Sequence, residues 1–306
     1  MDELYYQGTH SGPEIDALLD TVDAGVTPVV GKGINILDNW YFVGGGGAGA
    51  FPINQRGQSV YTGAGYGIDR WYLQGGVTLT VNSGSVTASG AASVEEKIQN
   101  VQPGTYTLSV LYDKSVGSTM GYISGTGVGV SLALPNGIKT LASTTFTISS
   151  EVDLSIAWYG AGDTNSSITL YAVKLELGSL QTLARQVNGV WELNDTPPDY
   201  GLELWKCMRY QQPCGDPLVE VLNSTTVSAS FKFYPPLRAT PTEITPRSNL
   251  TIYENGDHVF TISSVSGLYG PEGVAFINMT GTFDTAPSPG LYKAPSINYL
   301  FASANL

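Results

Sequence analysis

Tyr106-Thr107-Leu108-Ser109-Val110-Leu111-Tyr112 places Tyr106, Leu108, Val110 and Tyr112 on one side of an extended chain, the period-two alternation of a strand with one face in a core. The same alternation precedes it at Val77, Leu79 and Val81. It returns afterwards at Val128, Val130, Leu132 and Leu134, at Phe146 and Ile148, and at Val152, Leu154, Ile156 and Trp158. Tight-turn compositions separate the runs: Pro103-Gly104, Pro135-Asn136-Gly137 and Gly160-Ala161-Gly162-Asp163. Strands at this spacing without intervening helices predict an all-β sandwich rather than a parallel α/β sheet. Between Ile168 and Leu177 the apolar parity switches, which predicts a β-bulge in the last strand.

Working outward, the expected organisation is an all-β chain with two jelly-roll-like β-sandwich domains. Residues 1–32 are an attachment segment with a short helix, 33–180 the first jelly roll, 181–217 a proline-containing linker with a second short helix, and 218–306 a C-terminal sandwich. In the attachment segment Ile15, Leu18, Leu19 and Val22 share one helical face behind a Ser11/Glu14 capping box, and Gly25 ends the helix. That stripe needs cover, either from its own domain or from copies of the chain around a fibre axis. In the linker Pro197-Pro198 enforces extended backbone, Asp199 is placed to cap a helix carrying Leu204, Cys207 and Met208, and Pro213 is expected to stop it. The C-terminal region alternates at Val227, Ala229, Phe231 and Phe233, and Asn255-Gly256 is a strong hairpin signal.

The 306 residues include 37 Gly, 18 Tyr and 17 Pro, with only 13% charged. A net charge of −12 repels phosphate backbones, so no nucleic-acid partner is expected. No apolar stretch is long enough for a membrane helix and the first residues do not resemble a signal peptide; synthesis in the cytoplasm without membrane insertion is the expectation. Cys207 and Cys214 have no second pair or nearby His to complete a zinc site; free thiols are expected, with a local bridge as the alternative. His10 and His258 lack any nucleophile-elbow context, so no catalytic set is expected.

Several strings resemble those of phage and prophage tail-fibre or head-fibre proteins. Asn35-Ile36-Leu37-Asp38-Asn39, Pro52-Ile53-Asn54-Gln55-Arg56-Gly57-Gln58 and Gly67-Ile68-Asp69-Arg70-Trp71 resemble the opening of a recurrent jelly-roll module, and Val173-Lys174-Leu175-Glu176-Leu177-Gly178 its end. Pro197-Pro198-Asp199-Tyr200 with Glu203-Leu204 and Lys206-Cys207-Met208-Arg209-Tyr210 resembles the connector. The resemblance implies a virion protein, made in the host cytoplasm, with a module similar to carbohydrate-binding modules. It implies a homotrimer, contact with other virion proteins through the N-terminal segment, and a host surface glycan as ligand during adsorption. It implies no chemistry. The alternatives are a purely structural head-fibre, decoration or tail component, and an accessory binding module of a glycan-degrading enzyme.

Aromatic side chains stack on the apolar faces of sugars, which makes Tyr61, Tyr66 and Tyr72 near the glycine-rich loops the candidate carbohydrate-binding residues of the first module. Tyr253, Asp257 and Tyr269 are the candidates in the second. Trp40, Trp71 and Trp158 are expected in the core, and Asp69 and Arg70 could pair with each other. No cofactor or metal is assigned, but calcium would find oxygen ligands in Asp38 and Glu176, the latter otherwise expected to face solvent.

Overall fold

The computed structural model describes residues 33–214, 218–238, 243–246, 250–253, 257–269, 274–293 and 300–303. Ile15, Leu18, Leu19 and Val22, with the whole attachment helix, lie outside the described residues, as does the Asn255-Gly256 turn.

The alternating runs pair antiparallel into two six-stranded sheets. The first has the order β1 (Val60–Thr62), β4 (Val77–Asn82), β5 (Ser85–Gly90), β12 (Ser167–Leu177), β7 (Gly104–Val116), β10 (Gly137–Ile148). The second runs β2 (Gly65–Tyr66), β3 (Tyr72–Leu73), β6 (Ser93–Val101), β11 (Val152–Tyr159), β8 (Met120–Gly125), β9 (Val128–Leu132). Leu108, Val110, Tyr112, Val173 and Leu175 of the first sheet and Val94, Ile123, Leu154, Ile156 and Trp158 of the second are buried in one core. The parity switch in β12 is a register shift between Leu170 and Ala172 against β7.

Residues past 180 are not a free spacer. The hairpin of β13 (Ala184–Val187) and β14 (Val190–Leu193) brings Leu183, Ala184, Trp191 and Leu193 onto the first core. Helix α1 (Tyr200–Met208) adds Tyr200, Leu204 and Cys207 to it. Asp199 caps α1 by accepting from the Leu202 amide at 2.7 Å. The helix ends at Arg209, before Pro213, which instead lies in β15 (Gln211–Cys214), an edge strand where a missing N–H is tolerated.

The second unit pairs β15 with β23 (Leu300–Ser303) and β18 (Glu243–Pro246). Its other sheet has the order β19 (Leu250–Tyr253), β20 (Asp257–Tyr269), β21 (Val274–Phe283), β17 (Thr226–Lys232), β16 (Leu218–Asn223), β22 (Gly290–Lys293). Val227, Ala229, Phe231 and Phe233 are all buried in its core, with Val219, Phe260, Ile277 and Met279. Neither cysteine forms a disulfide and both are buried, Cys207 in the first core and Cys214 in the second.

Candidate functional site

Directly opposed positions line up across the second sheet of the first module. Tyr66 opposes Tyr72, Tyr72 opposes Glu95, Glu95 opposes Ala157, Ala157 opposes Tyr122, and Tyr122 opposes Ser131. Their neighbours in sequence, Leu73, Val94, Ile156, Trp158 and Ile123, point into the core, so pleating turns this row outward. Tyr159 stands two residues further along β11, opposite Met120. Tyr122 and Tyr159 are 39% and 42% exposed, Tyr66 and Tyr72 half-buried. Tyr72 and Tyr122 are three strands apart, about 14 Å at the usual strand spacing.

At the β2 end the Tyr66 and Tyr72 rings meet edge-to-face at 5.3 Å, and the Arg56 guanidinium carbon lies 5.7 Å from the Tyr66 ring centroid. An open cleft of ≈ 290 Å³ here is lined by Arg56, Gln58, Tyr61, Thr62, Gly65 and Tyr66 among others. Aromatic faces beside amide, hydroxyl and guanidinium groups suit a polyol with one apolar face. Tyr61 is the wall of this cleft rather than a platform. Its ring is buried, its hydroxyl donates to Asn54 Oδ1 and accepts from the Gln58 amide at 3.2 Å, and burial pushes its pKa up to about 12.

Tyr253, Asp257 and Tyr269 belong to another sheet and do not join this row; Tyr253 and Asp257 are opposed at the ends of β19 and β20, and Tyr269 opposes Ala275. Sequence reasoning missed Tyr122, Tyr159 and Glu95. The alternation of Tyr122 and Ser124 against Ile123 was a usable signal for β8, but its register with β11 and β9 is long-range pairing that no local pattern carries.

The strings that resemble fibre proteins converge on a different place, a buried polar clamp between the module and α1. The Arg70 guanidinium lies 3.2 Å from Asp38 Oδ2 and 3.4 Å from Glu96 Oε1, donates to the Lys97 carbonyl at 2.7 Å, and stacks on the Tyr210 ring at 3.5 Å. Its backbone has φ +72°, a left-handed conformation costly for a side chain of this kind and held here by four partners. Asn39, fully buried, ties the Ile53 and Asp69 carbonyls together through its amide nitrogen at 2.9 and 2.8 Å, while its own backbone N–H donates to Glu203 of α1. Asp69 does not pair with Arg70. It accepts from the Gln55 amide at 3.0 Å and from Gln211 Nε2.

A second clamp forms around Lys174, whose ammonium lies 2.6 Å from Asp195 and 3.7 Å from Glu176 and donates to Thr182 at 2.8 Å. Glu176 is therefore buried rather than facing solvent, because the hairpin segment covers it. The two carboxylates considered for calcium are thus taken up separately, Asp38 by Arg70 and Lys206, Glu176 by Thr182 and Lys174. Among the described residues no three His, Cys, Asp or Glu side chains are grouped to hold a metal. A further cleft of ≈ 270 Å³ is lined by Trp40, Asp195, Asp199 and Glu203, but each carboxylate there is already engaged: by Lys174, by the α1 cap, and by Asn39 with Lys206. Trp40, Trp71 and Trp158 are core residues.

Burial lifts the Asp69 carboxyl to about 6, against the opposing hydrogen bond from Gln55 and the charge of Arg56, and it pushes Glu96 well above the usual carboxylate range against Arg70. With a folded-state value above its unfolded one, Asp69 contributes stability that is present below about 4 and lost as pH rises through about 6. Thermal melts of wild type and Asp69→Asn should therefore diverge on going from pH 7 to pH 5, wild type gaining roughly 1 kcal/mol, or a few degrees, relative to the variant.

No family model matches the chain, and no curated protein does. Among solved structures there is a likeness to a cycloisomaltooligosaccharide glucanotransferase from Paenibacillus sp. complexed with cycloisomaltoheptaose. The identity is 10% and the TM-score 0.25, over 81% of this chain and 46% of that one. The chain thus spans less than half the length of that neighbour, and so slight a likeness bears on neither ligand nor reaction.

Proposed function

We propose that this chain is a non-enzymatic fibre protein of a phage-like virion, whose first module holds a host-surface glycan on the outward tyrosine row during adsorption. The observation that carries the binding reading is the row itself. Tyr66, Tyr72 and Tyr122 emerge on one sheet face with Glu95 between them, and a polar cleft opens at one end. Tyrosines on an outward sheet face support the strands through cross-strand contacts, and several of them in one row also offer a sugar chain stacking area at low entropic cost. The virion assignment is supported by the fibre-like strings, which build the two clamps that hold the connector on the module. In this reading the chain is a homotrimer attached to other virion proteins through residues 1–32.

Glycan-array binding with the purified chain tests the proposal. Tyr72→Ala and Tyr122→Ala should each weaken binding about tenfold, in line with the loss of one aromatic contact to the sugar, while lowering the melting temperature by no more than a few degrees. Absence of any glycan or whole-cell binding at high avidity would refute it in favour of a purely structural virion part, and hydrolysis of the bound glycan would contradict its non-enzymatic character.

A further inference from the structure

One pleat beyond the tyrosine row, on the same outward face, lies a second cleft of ≈ 380 Å³ that no sequence motif announces. It is lined by Lys97, Gln99, Ser124, Thr126, Asp153 and Ser155 over an apolar floor of Ile98 and Leu154. The register places it two residues along each strand from the row: Lys97 follows Glu95 on β6, Ser124 follows Tyr122 on β8, and Ser155 precedes Ala157 on β11, with Lys97 and Ser124 opposing Ser155 from either side. The step is about 7 Å.

We propose that this cleft is a second sugar subsite and that the face binds an extended, neutral polysaccharide chain rather than a single sugar. The inference rests on the tyrosine-row reading and deepens it. Its lining offers one ammonium, one carboxylate, an amide and three hydroxyls, formal charges that cancel. Sugar hydroxyls both donate and accept, so a balanced set of this kind matches a neutral polyol, where an acidic sugar would call for an excess of cations. The cleft is also built rather than incidental. A Cβ at Gly125 would meet the Asp153 carbonyl oxygen at 2.7 Å and the Leu154 and Val152 methyls at 3.0 Å, so the floor requires glycine. Asp153 is set by accepting the Asn100 amide at 2.9 Å, and Gln99 by accepting from Arg238 of the second unit. Ser155 joins the two subsites, donating to Glu95 of the row at 3.2 Å.

The test uses the full chain and oligosaccharide ladders of two to eight sugars from amylose, dextran, mannan and galactan, titrated calorimetrically against wild type, Lys97→Ala, Ser124→Ile and Tyr72→Ala. Lys97 and Ser124 are outward positions, and melting temperatures should stay within a degree or two. Wild-type affinity is expected to rise about tenfold or more with chain length, and both cleft variants to lose that gain while keeping the affinity for the shortest binding fragment. Tyr72→Ala should weaken every length. Unchanged length dependence in Lys97→Ala and Ser124→Ile, with Tyr72→Ala still impaired, overturns the second subsite and leaves the tyrosine row standing. Equal affinity for short and long fragments does the same. No binding of any ladder, or binding indifferent to Tyr72→Ala, overturns both.

Discussion

Arg70→Met is expected to destabilise the protein by about 3–5 kcal/mol, the cost of breaking a buried ion pair from one side. The arginine is 3% exposed, and its guanidinium serves Asp38, Glu96, the Lys97 carbonyl and the Tyr210 ring at once. Methionine fills much of the volume but leaves Glu96, fully buried, without its cation, so that the carboxyl must take up a proton or draw in water. Glu96→Gln should cost far less, about 1 kcal/mol, because Asp38 still pairs with Arg70 and the amide oxygen can still accept from the Asp38 N–H. Urea unfolding of the two variants measures the contrast. Equal losses would show that the Arg70–Glu96 ion pair itself carries the stability and is broken as fully from one side as from the other.

The second large effect is expected at Lys174. Its ammonium is inaccessible to solvent and holds the 182–195 segment to β12 through Thr182 and Asp195. Lys174→Ala removes the cation between Asp195 and Glu176 and opens a cavity beneath the hairpin, again about 3–5 kcal/mol. Unlike the Arg70 change, it should act locally as well as globally. Limited proteolysis should cut near Val187-Asn188-Gly189 in the variant under conditions that leave wild type intact, because the β13–β14 hairpin loses its fastening before the sandwich melts. A variant that unfolds earlier without any hairpin cleavage would place the whole effect in the sandwich core.

Much of the architecture was legible because it rests on local rules. Alternation at residues 106–112, 152–158 and 227–233, turn chemistry between the runs, and the Asp199 cap each follow from neighbours in sequence, and each is found where expected. The bulge in β12 was legible for the same reason, since a parity switch is a local event. The outward tyrosine row was legible only in part. Tyr66 and Tyr72 stand out by their setting among glycines, but Tyr61, from the same setting, is consumed as a buried wall.

What the sequence by itself determined is the all-β class and the strand runs with their inward faces; periodicity and turn chemistry are properties of neighbouring residues and need no partner strand. Only the tertiary structure decided what those strands place side by side. It brought Tyr72, Glu95 and Tyr122 into one outward row, buried Glu176 and Lys174 under a hairpin, and set Asp38, Arg70 and Glu96 around Tyr210. Register between strands far apart in sequence is chosen by the summed burial of both faces, and a one-residue slip would turn every one of these side chains to the opposite face.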